Sequence, residues 1–452
     1  MTEQKSSQFS GSVAVPMAIV AGLFFIFGFI TWLNGALVPF LQTLCDLSAF
    51  QAMLVASAFY IAYVVMALPM ATIIERTGYK NGMSLGLFIA AVGALIVIPA
   101  AYAREFSIFL LAQFVIGSGL TILQTASNPY VVKLGPAESA AVRISVMGTL
   151  NKGAGIVAPI VFSILVLSGI DGVSEAELAV LSESARDAKL DELSQQLVGP
   201  YIGMAISLVV LGLAMFFAPI PDIEDEVLEG QENDSISMSG VFQFPSLVFG
   251  ALALFFYVGV EVIAGDAIGL LGKQAGLPNS INSSLTSLTM VFMVIGYITG
   301  MLTIPRFISQ QAALMLSAVL GIIFSLLVIV MPLELNVAPG QTATFADIPP
   351  AVYCVALMGL ANAMCWPTIW PLALNGLGRY TSKGAALLIM GIAGGAVLPP
   401  IYGHFADTGD GQLAFLVAVP AYLFILFYAL KGHKMVRWKN GDASNAEAAE
   451  RA

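Results

Sequence analysis

The sequence predicts an all-α membrane protein: twelve transmembrane helices in two pseudo-symmetric six-helix bundles. Three observations predict it. Hydrophobic residues make up 58% of the chain and charged residues 10%, where soluble domains carry about 25% charged residues. The apolar residues gather into runs of about 20, the length that crosses ~30 Å of hydrocarbon. The runs divide six and six around an acidic stretch, and none alternates every second residue as barrel strands do.

In chain order the predicted spans are 14–43, 49–73, 82–102, 106–132, 140–168 and 200–219, then 244–271, 282–304, 311–332, 350–374, 384–402 and 412–431. They divide the chain into an N-terminal bundle (1–219), a linker (220–243), a C-terminal bundle (244–431) and a tail (432–452). The first apolar run continues well past the length of a signal-peptide core and reads as an uncleaved span. The linker carries Asp222, Glu224, Asp225, Glu226, Glu229, Glu232 and Asp234 with no Lys or Arg between them, the pattern of a solvated segment. In the long loop 171–198, Ser174 and Glu177 have capping-box spacing. Leu178, Leu181, Ala185, Leu190, Leu193 and Leu197 then suggest an amphipathic helix, lying on the surface or gating the mouth.

The basic residues orient the spans. Of the 18 Lys and Arg, thirteen fall on the N-terminal side: Lys5, Arg76, Lys80, Lys133, Arg143, Arg306, Arg379, Lys383, Lys431, Lys434, Arg437, Lys439 and Arg451. Arg104, Arg186, Lys189 and Lys273 fall on the other side, and Lys152 lies within a span. The bias places both termini in the cytoplasm, with the chain in a bacterial inner (plasma) membrane. No basic arm points to nucleic acid, and the expected partners are the lipid bilayer and a small molecule bound by a monomer. Cys45, Cys354 and Cys365 have no metal-ligand spacing. Cys354 and Cys365 lie about 16 Å apart along one helix, too far to bridge.

The halves repeat. Residues 124–129 (Gln-Thr-Ala-Ser-Asn-Pro) in span four match 367–371 (Pro-Thr-Ile-Trp-Pro) in span ten. Each is followed by a loop with Gly and basic residues, then a Gly-rich span. The offset is 242 residues between Pro129 and Pro371 and 241 between Pro159 and Pro400. Parallel repeats of this kind, with a site between them, are a transporter architecture. Gly-rich spans allow close, sliding packing, and Pro129 and Pro371 free backbone carbonyls within helices.

Motifs in both halves resemble a known family. They are 24–28 (Phe-Phe-Ile-Phe-Gly) with Trp32, Leu33 and Asn34; 57–60 (Ser-Ala-Phe-Tyr); 124–129 with Leu134 and Pro136; 257–261 (Tyr-Val-Gly-Val-Glu); 367–369; Gly376 and Gly378 with Thr381; and Gly394 with Gly395. Together they resemble the major facilitator superfamily, and within it the fucose/glucose-galactose permease group. The loop 75–82 resembles the superfamily's inner loop after span two, which implies a gating latch made by Glu75, Arg76 and Lys80. A plain solvated turn explains it equally. Two positions depart from the fucose permease pattern, which has an acidic residue after Leu-Asn in span one and Glu before Thr-Ala in span four. This chain has Gly35 and Gln124, neither of which takes up a proton.

Ionisable groups at membrane depth are costly and mark candidate sites. Glu261, mid-span, is placed to ligate a cation, to accept hydrogen bonds from sugar hydroxyls, or to pair with another helix. Asp266 is five residues on, about 500° of turn. It therefore points about 140° away and reads as a water-exposed gate residue. Lys152 pairs with Glu261, binds substrate or satisfies a carbonyl. Asn34, Gln124, Asn128, Asn151 and Asn362 are amides that both donate and accept, which suits sugar hydroxyls or helix–helix bonds. Trp366 and Trp370 share one helix face and make an aromatic wall for a sugar ring, with Phe24, Tyr60 and Tyr257 completing the pocket. Trp32 and Trp438 fit an interfacial belt.

The resemblance therefore implies a secondary transporter importing a hexose of the glucose or galactose type by alternating access. N-acetylglucosamine or another monosaccharide is the alternative cargo, and uncoupled uniport the alternative mechanism. The coupling residues would be Glu261, Gln124, Asn128 and Asp266; with the permease's two carboxylates replaced by Gly35 and Gln124, the resemblance to the glucose-galactose branch implies sodium over a proton, and side-chain and backbone oxygens can ligate it. No resident cofactor is expected beyond a possible bound sodium ion. Neither a phosphate-binding loop nor an H-E-x-x-H metalloprotease motif occurs in the sequence, and the Gly-x-Ser-x-Gly spacing at 82–86 lies at the start of an apolar predicted span instead of a strand-to-helix turn, so an enzyme is not expected.

Overall fold

The computed structural model describes residues 14–134, 140–167, 180–218, 238–304, 306–335, 337, 343–377, 380–435 and 438. Among them every regular element is helical. Eleven helical stretches are long and apolar enough to cross a membrane, and Ala49–Val65 is a shorter twelfth.

In the first half, α1 (Ala14–Leu44), α2 (Ala49–Val65), α3 (Ala67–Ala103), α4 (Phe106–Lys133), α5 (Ala140–Phe162) and α7 (Val198–Phe217) form the bundle. The second predicted span is broken. α2 stops at Val65 because Pro69, four residues on, has no N–H for the Val65 carbonyl and its ring crowds that oxygen. The loop expected over 75–82 shrinks to one residue. Gly78 turns the chain at φ 79° and ψ 167° between helical flanks, a positive φ that glycine adopts without strain. Arg76 is exposed and Lys80 half-buried beside this turn, while the Glu75 side chain lies outside the described residues.

α6 (Glu183–Gln195) is the surface helix of the long loop, with Ser182 at its N-cap position and no side-chain cap bond. Ser174 and Glu177 lie outside the described residues, as do 219–237 of the linker. α6 buries Leu190 and Leu193 and is fastened to the end of α3. Arg104 pairs with Asp187 at 3.3 Å and Asp191 at 3.0 Å, and the Ser194 hydroxyl donates to the Ala101 carbonyl.

The second half contains α8 (Pro245–Val262), α9 (Ile268–Gln274), α10 (Leu285–Thr303), α11 (Gln310–Val330), α12 (Pro350–Asn362), α13 (Cys365–Leu374), α14 (Thr381–Met390), α15 (Gly394–Thr408) and α16 (Ala418–Leu430). Two predicted single spans are pairs of helices. α12 and α13 part at Ala363–Met364 because Pro367 cannot donate to the Ala363 carbonyl. A tight turn over Gly391–Ala393 separates α14 from α15. Span seven is continuous but passes through a π-helical turn, Ile263–Ala267, between α8 and α9.

The halves meet along α2 with α15, α5 with α10, and α1 with the π turn and α9. The seam is tight at the end where α1 finishes and α2 begins, the far end. There the Ala49 and Phe50 N–H groups donate to the two Asp407 carboxylate oxygens at 2.6 and 2.9 Å, so α15 caps the N-terminus of α2. Lys273 donates to Gln42 at 3.1 Å, Ser163 to the Ser280 carbonyl at 3.2 Å, and Ser287 to the Ile156 carbonyl at 2.7 Å.

Candidate substrate site between the two halves

The site is built around one buried ion pair that bridges the halves. Lys152 on α5 donates to Glu261 Oε1 on α8 at 2.7 Å, with both side chains about nine-tenths buried. Tyr257, one helical turn before Glu261, donates its hydroxyl to the same oxygen at 2.7 Å. The Lys152 ammonium also stands 4.3 Å from the ring centre of Trp32, an attraction that desolvation strengthens. A buried carboxylate and a buried ammonium are each costly alone, so every group here supports the charge of another.

Trp32 is not an interfacial belt residue. It is 2% exposed and wedged between the halves: a Cβ on Gly155 or on Gly265 would stand 2.7 Å from its indole. Its N–H points at Asn151 Oδ1 over a long 3.5 Å. Sequence reasoning missed this residue, although it lies one turn after Gly28, whose missing Cβ lets α1 approach the Asn151 backbone. Trp438 does fit a boundary position, 44% exposed and donating to the Phe242 carbonyl at 2.8 Å.

An aromatic file leads away from the ion pair. Tyr257 and Trp366 have ring centroids 6.3 Å apart, and Trp366 and Trp370 5.5 Å. Trp370 Nε1 has no hydrogen-bond partner among the described residues, nor do Asn34 Nδ2, Asn151 Nδ2 and Asn362 Nδ2. Buried donors are nearly always paired. These four, on four different helices, are therefore exceptions. Asn362 is partly committed, since its Oδ1 accepts from Tyr422 at 2.9 Å. Tyr60, stacked on Tyr63, faces α15, where a Cβ on Gly395 would stand 2.8 Å from its ring.

Gln124 and Phe24 lie apart from this cluster. With Leu23, Phe27, Leu123 and Ser127 they line a narrow crevice between α1 and α4, and Asn128 is half-buried one turn further along α4. Asp266 is not the water-exposed gate residue expected from a regular helix. It is 1% exposed, and its Oδ1 has no partner among the described residues. The π turn that carries it alters the helical register. The carbonyls at this turn are met from α10: Thr286 donates to Gly265 at 2.5 Å and Thr289 to Ala264 at 3.0 Å. No group of three or more metal-ligating side chains occurs among the described residues.

The sequence profile of the Major Facilitator Superfamily matches residues 20–390, most of the chain. The chain belongs to the major facilitator superfamily. It is therefore an integral membrane protein, in the superfamily's fucose/glucose-galactose permease group. It is 35% identical over 416 residues to a glucose/galactose transporter of Brucella abortus, covering 91% of this chain and 92% of that one. An L-fucose-proton symporter of Escherichia coli is 28% identical and covers 93% of each chain. The crystal structure of the Escherichia coli fucose:proton symporter superposes with a TM-score of 0.68 at 27% identity, over 93% of this chain and 98% of that one. The superfamily fold explains why the seam runs along α2/α15 and α5/α10. The departure from the group pattern at Gly35 has a steric basis here. A Cβ at that position would run into the Thr286 side chain, so the closed seam has no room for a carboxylate there.

Proposed function

We propose that this protein is a secondary active transporter that carries a hexose of the glucose or galactose type across the bacterial inner membrane, coupled to a cation. Its two bundles, divided at the 220–243 linker, expose the cleft to each side in turn, with both termini cytoplasmic and the far end outside. The single observation that carries the reading is the bridging ion pair with its surroundings. Lys152, Glu261 and Tyr257 lie beside the Trp366–Trp370 wall, with unpaired amide donors on α1, α5 and α12. Aromatic faces take the C–H face of a pyranose, and the charged pair and amides take its hydroxyls. A hydroxyl inserted between Lys152 and Glu261 would loosen the bridge between the halves. Sugar binding would then reach the seam directly. Arg76 and Lys80 at the Gly78 turn are placed to latch the near end when it closes.

For the coupling ion, the sequence favours sodium held by Glu261, Gln124, Asn128 and Asp266, but a proton is the better-supported ion. The crevice at Gln124 is lined by aromatic and aliphatic groups, with only an amide and the Ser127 hydroxyl as side-chain oxygens. A cation such as sodium takes about six oxygen ligands. The likeness to a fucose:proton symporter points the same way. The test is radiolabelled glucose uptake into proteoliposomes under an inward proton or an inward sodium gradient. Accumulation driven by protons alone supports the reading, and accumulation driven by sodium alone replaces the ion. Equilibration without accumulation makes the protein a uniporter. Absence of glucose and galactose uptake, with N-acetylglucosamine uptake present, changes the cargo. Trp366→Ala should raise the KM for the sugar by about 5- to 30-fold, equivalent to ~1–2 kcal/mol of lost ring contact. An unchanged KM would remove the aromatic wall from the site.

A further inference from the structure

Among the described residues, Asp266 is the one buried carboxylate in the cleft region for which the structure provides no cation. Lys152 is committed to Glu261 at 2.7 Å, and Asp266 Oδ1 has no hydrogen-bond partner among the described residues. Its π turn presses directly on α1 of the opposite half. The Trp32 indole would stand 2.7 Å from a Cβ on Gly265. Thr286, which fills the space beside Gly35, donates to the Gly265 carbonyl.

The elements packed on this turn hold no cation in position to neutralise it. α1 has no ionisable side chain. α2 offers Tyr60 and Tyr63, α10 only Tyr297, and α12 only Tyr353 and Cys354. α15 brings Tyr402, with His404 and Asp407 at its far end, and α9 brings Lys273, which donates to Gln42. On the same span, Glu261 adds a negative charge already balanced by Lys152. A charged Asp266 in the closed seam would thus be a lone buried anion, and such groups take up a proton rather than stay charged.

We propose that Asp266 is the group that binds the coupling proton. It takes the proton from far-side water while α1 stands away from the π turn and holds it as the neutral acid once the seam closes. It gives the proton to near-side water when the halves part at the other end. The carboxyl missing at Gly35 on α1 is thereby supplied from the facing turn of the second half. Closure favours the protonated carrier, so the proton gradient biases the cycle.

This inference rests on the transport reading above, and the experiment separates the two. The first arm needs no sugar. Infrared difference spectra of the purified full chain in lipid nanodiscs, between about pH 5 and about pH 9, should show a protonated-carboxyl band. Asp266→Asn should lose one component of that band, Asp266→Glu should shift it, and Glu261→Gln should keep it. A band unchanged from wild type in Asp266→Asn overturns the proposal. The second arm uses glucose-loaded proteoliposomes. Asp266→Asn should keep counterflow exchange of labelled glucose and lose accumulation driven by a pH gradient, and Asp266→Glu should regain part of it. Accumulation by Asp266→Asn equal to wild type overturns the proposal. Wild-type protein that exchanges no glucose defeats the transport reading, and the infrared arm alone then decides whether Asp266 holds a proton.

Discussion

Removing one partner of the Lys152–Glu261 pair should cost far more than removing both. At 2.7 Å and an effective dielectric of about 20, the direct attraction is about 6 kcal/mol. Desolvation of two nearly buried ions offsets much of it. What survives is the penalty of an unmatched charge, about 3–5 kcal/mol when one member of a buried pair is deleted. Lys152→Met leaves the carboxylate with only the Tyr257 hydroxyl. Glu261→Gln leaves the ammonium with an amide oxygen and the Trp32 face, a milder loss because the cation–π contact survives at about 1–2 kcal/mol. The double variant has no charge left to strand. The expected coupling energy is therefore at least about 2 kcal/mol, with Lys152→Met the worst of the three variants. Steric-trapping or detergent-titration unfolding of wild type, both single variants and the double variant in bicelles measures it. Single-variant losses that add to within ~0.5 kcal/mol would show that the pair is incidental to the fold, and the substrate site built around it would lose its foundation.

Two further outcomes are expected. Gly35→Ala should hold the far end open, because its Cβ meets Thr286 and Thr286 cannot swing away without losing its bond to the Gly265 carbonyl. Overpacking of this kind costs about 1–3 kcal/mol. Uptake should fall and Thr286→Gly should restore part of it; wild-type uptake by Gly35→Ala would mean that the contact yields freely. Burial pushes the Cys45 thiol up to about 11, against a smaller pull downward from Arg104. Only about one molecule in 10⁴ would then be thiolate at neutral pH, and maleimide labelling should be slow and quicken about tenfold per pH unit. Rapid labelling at neutral pH would contradict the closed surroundings of this residue at the end of α1.

The span pattern was readable because twenty apolar residues leave few alternatives in a bilayer, and the rarity of charge at membrane depth singled out Glu261 and Lys152, which the structure brings together, while the four-residue spacing put Trp366 and Trp370 on one face. The breaks were also readable in principle. Pro69 and Pro367 each fall four residues after the last carbonyl of a broken turn, a rule that applies to any helix. What the sequence hid was depth and facing. Trp32 has the composition of a boundary residue, and only the small size of Gly155 and Gly265, on two other helices, makes room for it in the interior. Asp266 was misplaced because its direction was projected along a regular helix from Glu261. The intervening π turn depends on Thr286 and Thr289 of a neighbouring helix to receive its carbonyls. Features set by three helices at once leave little trace in any one of them.

The far-end seam has a consequence for how fast such a molecule can work. Its bonds join backbone N–H groups to Asp407, serine hydroxyls to carbonyls, and Lys273 to an amide. Each partner is a group that water hydrates well, so the neutral bonds contribute only about 0.5–1.5 kcal/mol net and those made by Asp407 or Lys273 about 1.5–3 kcal/mol. Unzipping the seam trades these polar contacts for hydration one at a time. The shut and open forms can thus lie close in energy with a low ridge between them. A cargo or ion with a modest preference for one form is then enough to set the direction of turnover.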